Sequence, residues 1–131
     1  MSYFKLAKGA LLGGVLFAAH VSIIYADETQ VSSAPGYYVA EFEVTDPEGI
    51  KPYSAKVEST FRPYGGRFIV RGGQITSLEG AAPKRKRVVI EFESVEKAKE
   101  WYSSPEYSEL KKVRQRSAKT DVYLIEGINQ R

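Results

Sequence analysis

Beyond Gly36 the chain first alternates between apolar and polar positions and then takes up a helical period, and this switching lays out its elements. Tyr38, Ala40, Phe42 and Val44 share one face of a run from Tyr37 to Val44, with Glu41 and Glu43 on the other, the spacing of a half-buried strand. Asp46-Pro47-Glu48-Gly49 reads as a turn. Ile50, Tyr53, Val57, Phe61 and Tyr64 then recur at steps of three and four, which predicts a helix with Pro52 in its first turn. Pro63 blocks its continuation and Gly65-Gly66 permits the left-handed backbone that ends it. Arg67 to Arg71 predicts a short second strand, with Phe68 and Val70 on one side and Arg67, Ile69 and Arg71 on the other. Gly72-Gly73 marks a bend or bulge, after which an extended stretch runs from Gln74 to Glu79. A polar loop from Gly80 to Lys86 leads to a third strand, Arg87 to Glu93, in which Val88, Ile90 and Phe92 alternate. Ser94 suits an N-cap, and Val95, Ala98, Trp101 and Tyr102 give the next helix its apolar face. Ser104-Pro105-Glu106 restarts that helix, Tyr107, Leu110, Val113 and Ser117 carry it to Thr120, and Asp121 to Glu126 supplies the last strand.

The resulting order, β-α-β-β-α-β, predicts an α+β fold of the ferredoxin-like kind: a four-stranded antiparallel sheet with its helices on one face. Tyr38-Val39-Ala40 and Val88-Val89-Ile90 are apolar on both faces, so the sheet face away from the helices needs a cover. A homodimer that stacks two sheets supplies one.

Upstream, Lys5 and Lys8 precede 18 uncharged residues, Gly9 to Ala26, and Asp27-Glu28 opens a polar segment. This is the grammar of a secretory signal peptide, with cleavage expected after Ala26, a flexible leader over 27–35 and one domain over 36–131. If retained, the same 18 residues are at the short end of what spans a bilayer. The expected localisation is periplasmic or secreted, with no stable membrane association after cleavage.

Processing changes the chemical picture. The net charge falls from +3 to +1 with the loss of Lys5 and Lys8, which argues against a nucleic-acid partner. His20, the only histidine, leaves with the leader, and the chain has no cysteine. Imidazole bases, Ser-His-Asp arrangements, thiol nucleophiles, disulfides and the common zinc sites are therefore closed to the mature chain, and no metal or other cofactor is expected. The acids are scattered without calcium-loop spacing. Lys84-Arg85-Lys86-Arg87 is the one basic run and reads as a solvated loop. Ser103-Ser104-Pro105 lacks an activating base and punctuates a helix, and the glycine pairs at 65 and 72 form no phosphate-binding fingerprint.

GGRFIVRGG at 65–73, VIEFES at 89–94 and WYSSPEY at 101–107 resemble the bacterial domain of unknown function 1330 family, and the likeness runs from GYYVAEF at Gly36 to YLIEG ending at Gly127. The resemblance implies a dimeric α+β barrel, a fold shared with small cofactor-independent monooxygenases, muconolactone isomerases and stress-response domains.

In such a fold a pocket lies between sheet and helices, and a few polar groups on its walls orient a ligand. Arg71, before two glycines, offers a guanidinium for a carboxylate, or else pairs with Glu41, Glu91 or Glu93. Arg114 offers a second anion clamp, or else a solvated or interface arginine. Trp101 and Tyr107 suit either an aromatic pocket wall or core packing, and Tyr53 places a hydroxyl at the pocket mouth. Glu91 is the candidate general base, with a cross-strand ion pair as its structural alternative. Together these residues predict an exported homodimer binding a small organic molecule with a carboxylate or aromatic part. The alternatives are a cofactor-independent oxygenase or isomerase and a purely structural or protein-binding module.

Overall fold

The computed structural model describes residues 33–129, together with Gly9 and residues 12–14. The expected signal peptide, its cleavage after Ala26 and most of the 27–35 leader lie outside the described residues. Among the described residues, no helix is long and apolar enough to cross a membrane.

Strand β1 (Gly36–Val44) opens the domain, and α1 (Lys51–Phe61) follows a turn in which the Asp46 carboxylate accepts the Gly49 N–H at 2.9 Å. A 3-10 turn, Arg62–Tyr64, ends at Gly65, whose φ of 75° is the left-handed conformation a glycine supplies. Then come β2 (Arg67–Arg71), β3 (Lys86–Phe92), α2 (Val95–Tyr102), α3 (Pro105–Ser117) and β4 (Ala118–Glu126). The strands form one antiparallel sheet in the order β2-β3-β1-β4, so β1 is central and β2 is an edge. This is the expected ferredoxin-like α+β fold, with three α-helices rather than two because Ser103-Ser104 breaks the second crossover. Ser94 and Ser104 cap α2 and α3 through their hydroxyls, which accept the N–H groups of Lys97 and Tyr107.

The core lies between the sheet and the helices. Tyr38, Ala40, Ile90 and Phe92 from the sheet meet Val57, Phe61, Ala98, Trp101, Tyr107 and Leu110 from the helices. Trp101 is fully buried at its centre, in contact with Phe92, Tyr38 and Tyr107, and its indole N–H donates to Thr60 Oγ1 at 3.0 Å. Buried aromatic edges and faces with one satisfied N–H are the arrangement that makes such a residue an anchor.

Three local expectations are corrected. The stretch Gln74–Glu79 does not prolong β2, which ends at Arg71; Gly72, with φ 60°, turns the chain, its N–H donating to the Arg87 carbonyl at 2.8 Å. Helix α3 stops at Ser117 rather than Thr120, because the Ser117 carbonyl accepts N–H groups from Thr45 and Asp46 and residues 118–120 join the ladder with β1. Finally, β2 does not alternate strictly. Arg67 and Phe68 pair with Glu91 and Ile90, whereas Val70 and Arg71 pair with Val89 and Val88, which leaves Ile69 as an extra, bulged residue. Val70 is therefore turned to the outer sheet face, not the core side, and Arg71 is turned inward.

The outer face carries a row of Val70, Val89, Val39 and Tyr123 across all four strands, with Tyr37 and Ile125 beside it. Ion pairs border it: Arg67–Glu91 at 2.7 Å, Arg87–Glu41 at 2.7 Å, and Arg85–Asp121.

Candidate functional site

A cavity of about 540 Å³ opens between α1, α3 and the inner face of the sheet. That volume suits a small organic ligand. Its apolar walls come from the alternating inward positions of the strands, Ala40, Phe42, Val88 and Ile90, and from Val57 on α1. Three of the expected site residues line it: Tyr53, Arg71 and Arg114.

Arg114 is placed by helix geometry. It stands one turn beyond Leu110 and two beyond Tyr107, on the face of α3 that packs against the sheet, and only 5% of it is exposed. Its Nη1 donates to Thr120 Oγ1 on β4, while its Nε finds no acceptor. Among the described residues no carboxylate pairs with it. Burial works against its charge, but a guanidinium does not give up its proton in a protein. The site therefore holds a permanent buried cation.

Three phenols stand beside it. Tyr107 Oη lies 3.2 Å from Tyr38 Oη and 3.4 Å from Tyr53 Oη. Burial pushes the Tyr38 and Tyr53 phenols well above their ordinary pKa, so both stay protonated. Three hydroxyl protons serve two links, so one phenolic O–H is left to donate elsewhere. A fixed guanidinium with a spare phenolic donor stabilises an anionic oxygen, whether of a carboxylate or an enolate.

Arg71 reaches the cavity because of the bulge at Ile69. Its guanidinium lies 4.6 Å over the Phe68 ring, donates to the Ser54 carbonyl at 3.3 Å, and stands 3.9 Å from Glu58. The expected partners Glu41, Glu91 and Glu93 are not its neighbours.

The other candidates fall elsewhere. Trp101 and Tyr107 do not line the cavity; both are core residues, and Tyr107 acts on it only through its two hydroxyl neighbours. Glu91 faces the opposite side of the sheet, where Arg67 Nε and Nη2 donate to its Oε1 at 2.9 and 2.7 Å. A proton-transfer role for Glu91 in this cavity therefore has no geometric basis.

Sequence reasoning passed over Tyr38, Lys84 and Lys86, all of which line the cavity. Tyr38 was legible only as an inward strand position. The lysines sit in the basic run, which divides by side: Arg85 and Arg87 pair with Asp121 and Glu41, while Lys84, just before β3, and Lys86, its first residue, line the cavity.

Solved structures share this fold. RPA0582, a protein of unknown function from Rhodopseudomonas palustris, superposes with a TM-score of 0.58 at 20% identity, covering 75% of this chain and 85% of that one. SnoaB, a cofactor-independent oxygenase from Streptomyces nogalater, does so with 0.52 at 10% identity, covering 75% and 97%. At3g17210 from Arabidopsis thaliana gives 0.53 at 19%, covering 73% and 98%. At such identities the likeness is one of fold. No curated protein matches the chain in sequence. Residues 35–128, which hold the whole sheet, the three helices and every residue of the cavity, match the domain of unknown function family DUF1330, and the chain belongs to that family.

Proposed function

We propose that the chain is an exported homodimer that binds a small organic anion, a carboxylate on an apolar or aromatic body, in the cavity between α1, α3 and the sheet. The observation that carries this reading is Arg114: a buried guanidinium with no carboxylate partner among the described residues and an Nε without an acceptor. A buried charge left without an opposite charge is strongly destabilising, and a two-pronged carboxylate is the partner that guanidinium geometry fits best. Apolar walls beside it suit the rest of such a molecule.

Export rests on the charged start, apolar run and small residue at Ala26. Dimerisation rests on the outer sheet face, where Val39 is buried by its neighbours but Val70, Tyr123 and Ile125 remain 41–48% exposed. An apolar row of this kind bordered by ion pairs suits a symmetric sheet-to-sheet contact.

Native mass spectrometry of the protein from its own exported fraction tests all three parts. The expected result is a dimer of chains beginning at Asp27 that carries added small-molecule mass, and loss of that mass, with the dimer kept, in Arg114→Gln. A monomer at micromolar concentration overturns the dimer, and an Arg114→Gln protein that retains the ligand overturns the site.

A further inference from the structure

The cavity has a second cationic pole. Among the described residues its lining carries four cations, Arg71, Lys84, Lys86 and Arg114, against one acid, Glu43, which lies opposite Lys119 in the β1–β4 register. The four divide by position. Arg114 is buried and tied to Thr120 on β4. Lys86 begins β3, and both Lys86 and Thr120 pair with Phe42 on the central strand. Lys86, Phe42 and Thr120 thus form one row across three strands, and the backbones of its two ends are about 10 Å apart at ordinary strand spacing. Phe42 gives the floor between them an aromatic ring. Lys84 extends the outer pole, and neither lysine has an ion-pair partner among the described residues, whereas Arg85 and Arg87 on the alternate side are both paired.

We infer that the ligand of this cavity is a dianion, a molecule with an acidic group at each end of an apolar or planar middle, held by Arg114 at its inner end and by Lys84 and Lys86 at its outer end. The inference rests on the reading of Arg114 as the inner anion site. The two poles differ in kind: the inner one is a fixed, desolvated fork that sets orientation, and the outer one is a pair of hydrated, flexible charges that selects for a second negative group. Arg71, drawn toward Glu58 and stacked on Phe68, shapes the wall between them.

The test compares acids that differ only in their far end: benzoate with benzene-1,4-dicarboxylate, and hexanoate with hexanedioate, titrated calorimetrically into the full-length protein. Two exposed charge contacts support a preference of about tenfold for each diacid. The double variant Lys84→Gln/Lys86→Gln is expected to remove that preference, so that each diacid binds no better than its monoacid, whereas Arg114→Gln weakens all four compounds. Because the outer pole is exposed, the preference also falls with added salt while monoacid binding holds. Equal binding of monoacid and diacid by the unaltered protein, or a preference that survives the double lysine variant, overturns the dianion and leaves the inner site standing. Failure of all four acids to bind overturns both.

Discussion

Above about pH 10, the buried phenols turn against the fold. Burial is the main reason the Tyr38 and Tyr53 phenols lie far above the ordinary 10.0, and Tyr107 adds to it. The folded chain keeps these protons at a pH where the unfolded chain has released its own. A group whose folded pKa is the higher one gives its full stability below the unfolded pKa, and that stability is lost as pH rises. Each such tyrosine contributes a slope of about 1.4 kcal/mol per pH unit above that point, so the pair contributes roughly 2.7. By about pH 11.5 the loss reaches roughly 4 kcal/mol, a large part of the 5–15 kcal/mol that typically holds a domain together. Urea unfolding of the full chain, followed by circular dichroism between about pH 8 and pH 11.5, measures the slope directly. Tyr38→Phe and Tyr53→Phe are each expected to remove about half of it. Every other group contributes alike in the unaltered protein, the two single variants and the double Phe variant, and the difference between the four isolates the phenols. Identical slopes in the unaltered protein and in the double Phe variant would refute the reasoning. So would tyrosinate absorbance from every tyrosine before the fold is lost.

Three further outcomes are expected. Gly66→Ala places a Cβ 2.8 Å from Phe92 and 2.9 Å from Phe61, both in the core, and lowers stability by about 1–3 kcal/mol in chemical denaturation. Trp101→Ala opens the centre of the aromatic cluster and costs about 3–5 kcal/mol; Thr60→Val, which removes the hydroxyl that accepts from the indole N–H and donates to the Val57 carbonyl, costs about 1–3, and thermal melts rank the two. Glu91→Gln weakens the pair with the exposed Arg67 on the outer sheet face, shifts stability by about 1 kcal/mol, and leaves calorimetric binding of benzoate unchanged.

The strands and helices were legible because β1 and β3 keep an apolar two-residue period on the inner face, Tyr38, Ala40 and Phe42 and Val88, Ile90 and Phe92, and each helix keeps one apolar face. What escaped the sequence was decided by partners far along the chain. Residues 118–120 carry no local mark against helix; the Ser117 carbonyl, taken by Thr45 and Asp46, moves them into β4. The glycine pair at 72 pointed to an irregularity, but the bulge lies three residues earlier at Ile69, where only the pairing with β3 reveals it. Trp101 and Tyr107 stand at helical spacing with other apolar residues, and the core claims them both. Arg114 had a readable signal, a charge on the same helical face as Tyr107, Leu110 and Ser117. Lys84 and Lys86 had none, since a run of four basic residues shows its two directions only once the strand beneath it is placed.

The extra residue at Ile69 separates what the domain is made of from what its interior offers. Because β2 is an edge strand with β3 as its one neighbour, it gains or loses a residue without disturbing the central pairings of β1. Without Ile69, Val70 and Arg71 would follow Phe68 in plain alternation and keep the faces they have; with Ile69 paired as an ordinary strand residue, Val70 would face the cavity and Arg71 the outer side. The charge of the cavity wall thus depends on whether Ile69 is bulged or paired, a choice made at the margin while the pairings of β1 stay in place. A fold with such a margin can change what its cavity offers by a shift of register at one edge, before any substitution inside the cavity has occurred.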